Sequence, residues 1–231
     1  MMKVFRITPA LLLAISGWAE SPDNGLQDLL SRMDQAAASF QSMSSKVKYI
    51  THTAVLDDNS EEGGTVLMKK IRASLVQGLI DFTTPDQRTV TIEQRKVQIY
   101  YPKIKTVQIF DLGKHGEQLD QFLMIGFGTS GTELARDYSM KVIGPDKALG
   151  QKALKIEMIP KSGEARDVLQ KLELWIADRP SQPYPVQEKI YEKSGDYRLV
   201  MYSDTKINPS LGQDALQLKL PAGVKTEHPQ R

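Results

Sequence analysis

The side chains able to do acid–base, metal or nucleophilic chemistry stand apart from one another in this chain. The three histidines are His52, His115 and His228. None belongs to an HxxxH or HExxH spacing that would put two imidazoles on one metal ion. Asp57-Asp58 followed by Glu61-Glu62 gathers four carboxylates. The glycine and the ligand spacing of a calcium loop are missing there, so a solvated turn is expected. Gly126-Phe127-Gly128-Thr129-Ser130-Gly131 is glycine-rich. It lacks the lysine of a phosphate loop, and the glycine after Ser130 comes one residue too early for a nucleophile elbow. The chain has no cysteine, which excludes a thiol nucleophile, a cysteine metal site and a lipid-modified N-terminal cysteine. No catalytic residue, metal site or cofactor is expected, and the chain reads as a non-enzyme.

Charge narrows the partners. The 231 residues carry a net charge of +2. Residues 1–19 have the form of a secretory signal: Lys3 and Arg6, then ITPALLLAISGWA, apolar and short for a bilayer span. Cleavage after Ala19 removes both of those positive charges and no negative one, which leaves a net charge of zero. Basic and aromatic residues are spread evenly, so no nucleic-acid surface is expected. Residues 20–231 then form a single domain that is soluble, monomeric and located in the periplasm.

The elements follow from periodicity. Leu26–Ser42 places Leu26, Leu29, Leu30, Met33, Ala37 and Phe40 at steps of three and four, one face of a helix. Strand patterns follow at Ser44–Leu56, Gly64–Ala73 and Leu75–Thr83. Thr89–Leu112 then holds three β-rich segments, Thr89–Glu93, Lys96–Tyr101 and Thr106–Leu112. The strand series is interrupted by a helical insert. Glu117–Phe127 places Leu119, Phe122, Leu123 and Phe127 near helical spacing, and Ser130–Tyr138 carries Ser130 and Glu133 in the capping-box arrangement. Strands resume at Tyr138–Ile143 and Ala148–Pro160, with a turn expected at Gly144-Pro145-Asp146-Lys147. Further strands are expected at Lys171–Ala177, Pro185–Lys193, Asp196–Lys206 and Leu216–Leu220. The fold class expected is mainly β with α-helices: an unclosed antiparallel barrel of about eleven strands with a helical lid over an apolar cavity. Leu30 and Met33 form the apolar side of the first lid helix, and Leu119, Phe122, Leu123 and Met124 that of the second. Periodicity leaves open whether the space beneath is a ligand cavity or a filled core.

Short motifs carry a resemblance. They are Ser31-Arg32-Met33-Asp34; GTVLMKK at Gly64–Lys70; Thr84-Pro85-Asp86; IYYPKIKT at Ile99–Thr106; DQFLMIGFG at Asp120–Gly128; LELWI at Leu172–Ile176; and LKLPAGV at Leu218–Val224. In this order the chain resembles the periplasmic outer-membrane lipoprotein carriers, the LolA-like proteins, from Leu26 to the tail. The resemblance implies a chaperone that takes acylated lipoproteins from an inner-membrane ABC transporter and hands them to an outer-membrane receptor. It also implies a basic latch after the second strand that holds the lid by hydrogen bonds to helix carbonyls. Lys70 stands at that place where the family has an arginine, with Arg72 nearby, and Met33 and Ile125 stand where the lid helices receive the contact. A lysine keeps the charge but loses the planar fork. The alternative is a lipid-binding or envelope-signalling module on the same fold.

Overall fold

The computed structural model describes residues 22–72, 75–93, 96–113, 125–179 and 182–229. The expected signal segment, and Leu119, Phe122, Leu123 and Met124 of the expected lid, lie outside these residues.

The first helix, α1, runs Pro22–Ser39. Six strands follow: β1 Ser42–Thr53, β2 Asp58–Arg72, β3 Leu75–Thr84, β4 Arg88–Glu93, β5 Lys96–Tyr101 and β6 Thr106–Asp111. A short helix, α2, covers Gly131–Asp137. Strands β7 Tyr138–Ala148 and β8 Gln151–Pro160 come next, then helix α3, Gly163–Val168. The chain ends with β9 Leu169–Ala177, β10 Pro185–Glu192, β11 Tyr197–Ile207 and β12 Lys225–Glu227.

All twelve strands join one sheet in the order β12-β6-β5-β4-β3-β2-β1-β11-β10-β9-β8-β7. Consecutive strands pair as antiparallel neighbours from β1 to β6 and again from β7 to β11, and β1 pairs with β11. β6 and β7 are adjacent in sequence yet stand near opposite ends of the sheet. The expected unclosed antiparallel barrel is therefore observed. The three-residue β12 is parallel to β6 and caps that edge, which leaves little exposed ladder for another chain to extend.

Three expectations need correction. β7 runs on through Gly144-Pro145-Asp146-Lys147 to Ala148. It is an edge strand, where a proline's missing N–H costs no ladder bond, and a bulge between Val142 and Gly144 absorbs the irregularity. The turn falls instead at Leu149-Gly150, with φ of 50° and 74°, the left-handed pair that suits a two-residue hairpin loop. Leu216–Leu220 is not a strand; Leu216 is buried, and the last strand is β12. Helix α3 was not expected, although Ser162 caps it by accepting from the Ala165 N–H at 3.1 Å.

Helices α1 and α2 pack together. Ser130 and Glu133 form the expected capping box: the Ser130 hydroxyl accepts from the Glu133 N–H at 3.1 Å, and the Glu133 carboxylate accepts from the Ser130 N–H at 2.9 Å. Asp34 of α1 adds a second cap, accepting from the Thr132 N–H at 2.9 Å and its hydroxyl at 3.0 Å. The helices approach so closely that a Cβ on Gly131 would lie 2.3 Å from the Leu30 carbonyl oxygen. That neighbour is backbone and cannot swing aside. Gly131→Ala should therefore destabilise the protein by about 1–3 kcal/mol, the usual cost of overpacking, read as a lower midpoint in urea unfolding.

Candidate functional site

The concave side of the sheet is apolar and covered. α1 presents Leu29, Leu30, Met33 and Ala37 to it, all buried, followed by Phe40. The periodicity that makes this face is the one visible in the sequence. Leu29 and Met33 pack with Ile125, Leu134 of α2, and Ile156, Met158, Leu172, Leu174, Ile176 and Ile190 of the sheet. Phe40 joins a second cluster with Met43, Val66, Met68, Val76, Phe127 and Val186. Ile156, Met158 and Leu174 have no exposure. Beneath α1 the interior is thus filled by the protein's own side chains.

Of the site residues expected from the sequence, Leu30, Met33 and Ile125 are buried under or within this cover. Lys70 lies on the same face as Met68, because side chains alternate along β2. Its ammonium donates to the Ala37 carbonyl of α1 at 3.2 Å, and its backbone N–H donates to the Gln41 carbonyl at 2.8 Å. The acceptor is thus one helical turn beyond Met33, not Met33 itself. Arg72 is exposed at the end of β2.

Two features were missed. Ile125–Gly128 forms a buried turn. Gly126, at φ +76°, brings its backbone so close to β10 that a Cβ would lie 2.8 Å from the Pro185 ring. Phe127 then meets Tyr202 edge-on, with ring centroids 5.1 Å apart, and stacks on Tyr184 at 6.4 Å. The second feature is Glu188, which shares the inward phase of β10 with Val186 and Ile190 and is 7 % exposed. Burial pushes its carboxyl up to about 8, with a hydrogen bond to Tyr202 acting the other way. Burial, then the neighbouring Glu188, pushes the Tyr202 phenol well above its usual value. A glutamate in the apolar phase of an otherwise alternating strand was the available signal.

Open space lies at the edge of the cover. A solvent-open cleft of about 680 Å³ is lined by the apolar residues Leu29, Pro145, Ala153, Leu154, Ile176 and Ala177. Arg32, Asp146, Lys147, Lys152 and Asp178 complete the lining. Asp146 accepts from the Trp175 indole N–H at 2.8 Å and the Lys147 N–H at 2.7 Å, which holds its carboxyl below the usual range. The cleft volume is within the roughly 300–1,000 Å³ of small-molecule sites. Among the described residues no group of His, Asp or Glu is arranged to hold a metal ion, and no helix is long and apolar enough to cross a membrane.

No protein-family model and no curated protein matches the chain. Solved structures do. The chain is similar to MucB, with a TM-score of 0.51 at 14% identity over 85% of this chain and 63% of that one. It is similar to the lipoprotein LppX of Mycobacterium tuberculosis, with a TM-score of 0.50 at 12% identity over 83% and 99%. A LolA superfamily protein from Nitrosomonas europaea also matches, with a TM-score of 0.41 at 14% identity over 84% and 97%. At such identities the likeness is one of fold, shared with MucB and LppX.

Glu188 makes stability depend on pH. Its carboxyl titrates near 4.5 in an ordinary setting and near 8 in the fold, so the folded chain holds the proton more tightly. The stabilisation is complete below pH 4.5 and is lost as pH rises through the window to 8, with a slope approaching about 1.4 kcal/mol per pH unit. Glu188→Gln should flatten that part of the urea-unfolding profile and exceed the wild type in stability at pH 8. An unchanged slope would locate the proton elsewhere.

Proposed function

We propose that this chain is a periplasmic carrier that covers the acyl chains of lipoproteins between an inner-membrane ABC transporter and an outer-membrane receptor. The observation that carries the reading is an apolar concave face covered by helices that are not part of the sheet. Among the described residues no strand ladder ties α1 to that face; its attachments are packing, the Asp34 cap, the Lys70 hydrogen bond and one from the Asn208 amide to the Ser39 carbonyl at 2.9 Å. Such attachments release one element without unfolding the rest.

The need for a cover is physical. Each methylene kept from water is worth about 0.8 kcal/mol, so a chain of about sixteen carbons carries roughly 13 kcal/mol of resistance to crossing an aqueous space bare. The interior beneath α1 is full in this conformation. An acyl chain therefore enters where Leu29, Leu30, Met33 and Ile125 withdraw, and the cleft at the edge of α1 gives it a place to start. No covalent step is required. Lys70 is the proposed latch, and Leu119, Phe122, Leu123 and Met124 the proposed acyl-facing side of the insert.

The native protein, purified gently, should carry acylated cargo detectable by mass spectrometry, and it should strip a lipoprotein from inner-membrane vesicles. Leu123→Asp or Phe122→Asp should lower acyl affinity at least tenfold in a folded protein, because a charge would face hydrocarbon. Equal affinity would remove that face from the site. Lys70→Leu should speed release of a fluorescent fatty acid while leaving the fold intact, and wild-type release would remove Lys70 from the latch. A second reading, a lipid-binding or envelope-signalling module, is favoured by the open cleft, which admits a free amphiphile without displacement of α1. Tight binding of free lipid with no extraction of a lipoprotein would select it.

A further inference from the structure

The four most exposed large apolar side chains among the described residues are Val55 at 92 %, Leu56 at 71 %, Val168 at 70 % and Ile104 at 65 %. They lie on three separate connections: β1–β2, β8–β9 and β5–β6. The alternation of strand direction puts all three connections at one end of the sheet.

The β1–β2 connection stands out from this rim. β2 pairs with β1 from Asp58 onward but with β3 only from Gly63. The finger therefore rises five residues, about 16 Å, beyond the β3 ladder. It is braced. The Ala54 N–H donates to the Asp196 carboxylate at 2.8 Å, His52 stacks on Tyr197 with centroids 4.6 Å apart, and the tip closes through Leu56 N–H to Thr53 O and Asp57 N–H to Ala54 O, both at 3.2 Å. An ordered, supported turn thus holds two aliphatic side chains in water.

From this arrangement we infer that the rim is a docking surface for a lipid bilayer with zwitterionic headgroups. Val55 and Leu56 are the principal inserting residues, and Ile104 and Val168 are further points of contact. Two observations select a bilayer over a protein. The apolar residues are separate points on different turns, with Ile104 and Val168 far along the rim from the finger, and a lipid surface can receive all of them while one narrow protein pocket receives one. Several basic side chains near them are paired within the chain: Lys103 with Asp86 at 3.2 Å, Lys193 with Asp167 at 3.3 Å, Arg198 with Glu192 and Lys48 with Glu61 at 2.7 Å. Asp57 and Asp58 beside the tip are exposed carboxylates with no ion pair among the described residues. The rim therefore offers little positive field to an anionic surface, and apolar insertion is the attraction that remains for a zwitterionic one.

This surface is distant in the fold from the cleft and from the Lys70 contact, so it stands whether or not the carrier reading does. The test is flotation of the purified protein with vesicles of phosphatidylethanolamine and phosphatidylcholine. Wild type should float with them to the same extent at low and high salt. Val55→Ser with Leu56→Ser should lower the bound fraction at least tenfold, and Ile104→Ser alone severalfold. Both variants should keep the wild-type melting temperature, since the changed side chains are exposed, and should bind a fluorescent fatty acid in solution as wild type does. The proposal is overturned if wild type stays free of vesicles, if binding disappears in salt, or if the finger variant floats as well as wild type. Binding only to membranes that retain their proteins also overturns it and points to a protein receptor. Lid and Lys70 variants that bind and release the fatty acid as wild type does, with flotation intact, would count against the carrier reading alone.

Discussion

The structure depends on covering one face of a sheet that cannot cover itself. Twelve strands curl around an apolar concave side, but the edges β7 and β12 do not pair. Apolar surface left in water on this scale costs more than a domain's whole margin of stability. The cover must come from helices. α1 precedes β1, and α2 lies on the connection between strands near opposite ends of the sheet, so the sheet topology itself delivers both helices to the opening. Their mutual attachment is specific: Asp34 caps α2, and the bare backbone of Gly131 lets the two helices touch.

The two faces of the sheet treat polar groups differently. On one face of β8–β10, Glu173 accepts from Lys171 at 3.0 Å, Lys155 at 3.1 Å and Tyr191 at 3.0 Å. Those partners hold its carboxyl below the usual range even though burial pushes the other way. On the opposite face Glu188 has Tyr202 and no cation, and its carboxyl moves up. The carboxyls of two glutamates on neighbouring strands thus shift in opposite directions, and the difference lies in what the alternation of each strand places beside them.

Much of the fold was legible because it rests on short-range signals. The helical stripe through Leu29, Leu30 and Met33 and the capping box at Ser130 and Glu133 each involve residues close in sequence. The errors came where tertiary position overrode local preference. Gly144-Pro145-Asp146 reads as a turn, but at a sheet edge it is tolerated as strand, and the chain turns at Leu149-Gly150, where a leucine is held at positive φ beside the glycine. Leu216–Leu220 alternates leucine with Gln217 and Lys219, but no ladder partner comes to it among the described residues. The candidate site was legible in part. Met33 and Ile125 pack in one cluster with Leu29, and Leu30 is buried on the same helix, whereas Glu188, Phe127 and Tyr202 meet only because β10, β11 and the turn before α2 converge.

The sequence by itself determined the class: an apolar strand series interrupted by amphipathic helices. Periodicity suffices for that, since it reports which side of each element avoids water. Only the tertiary structure decided that Lys70 reaches the carbonyl of Ala37, that the interior beneath α1 is filled while a cleft stays open beside it, and that Val55 and Leu56 stand braced above the rim. Those facts are relations between residues remote in the chain, and the register of the strands and the closeness of helix packing fix them.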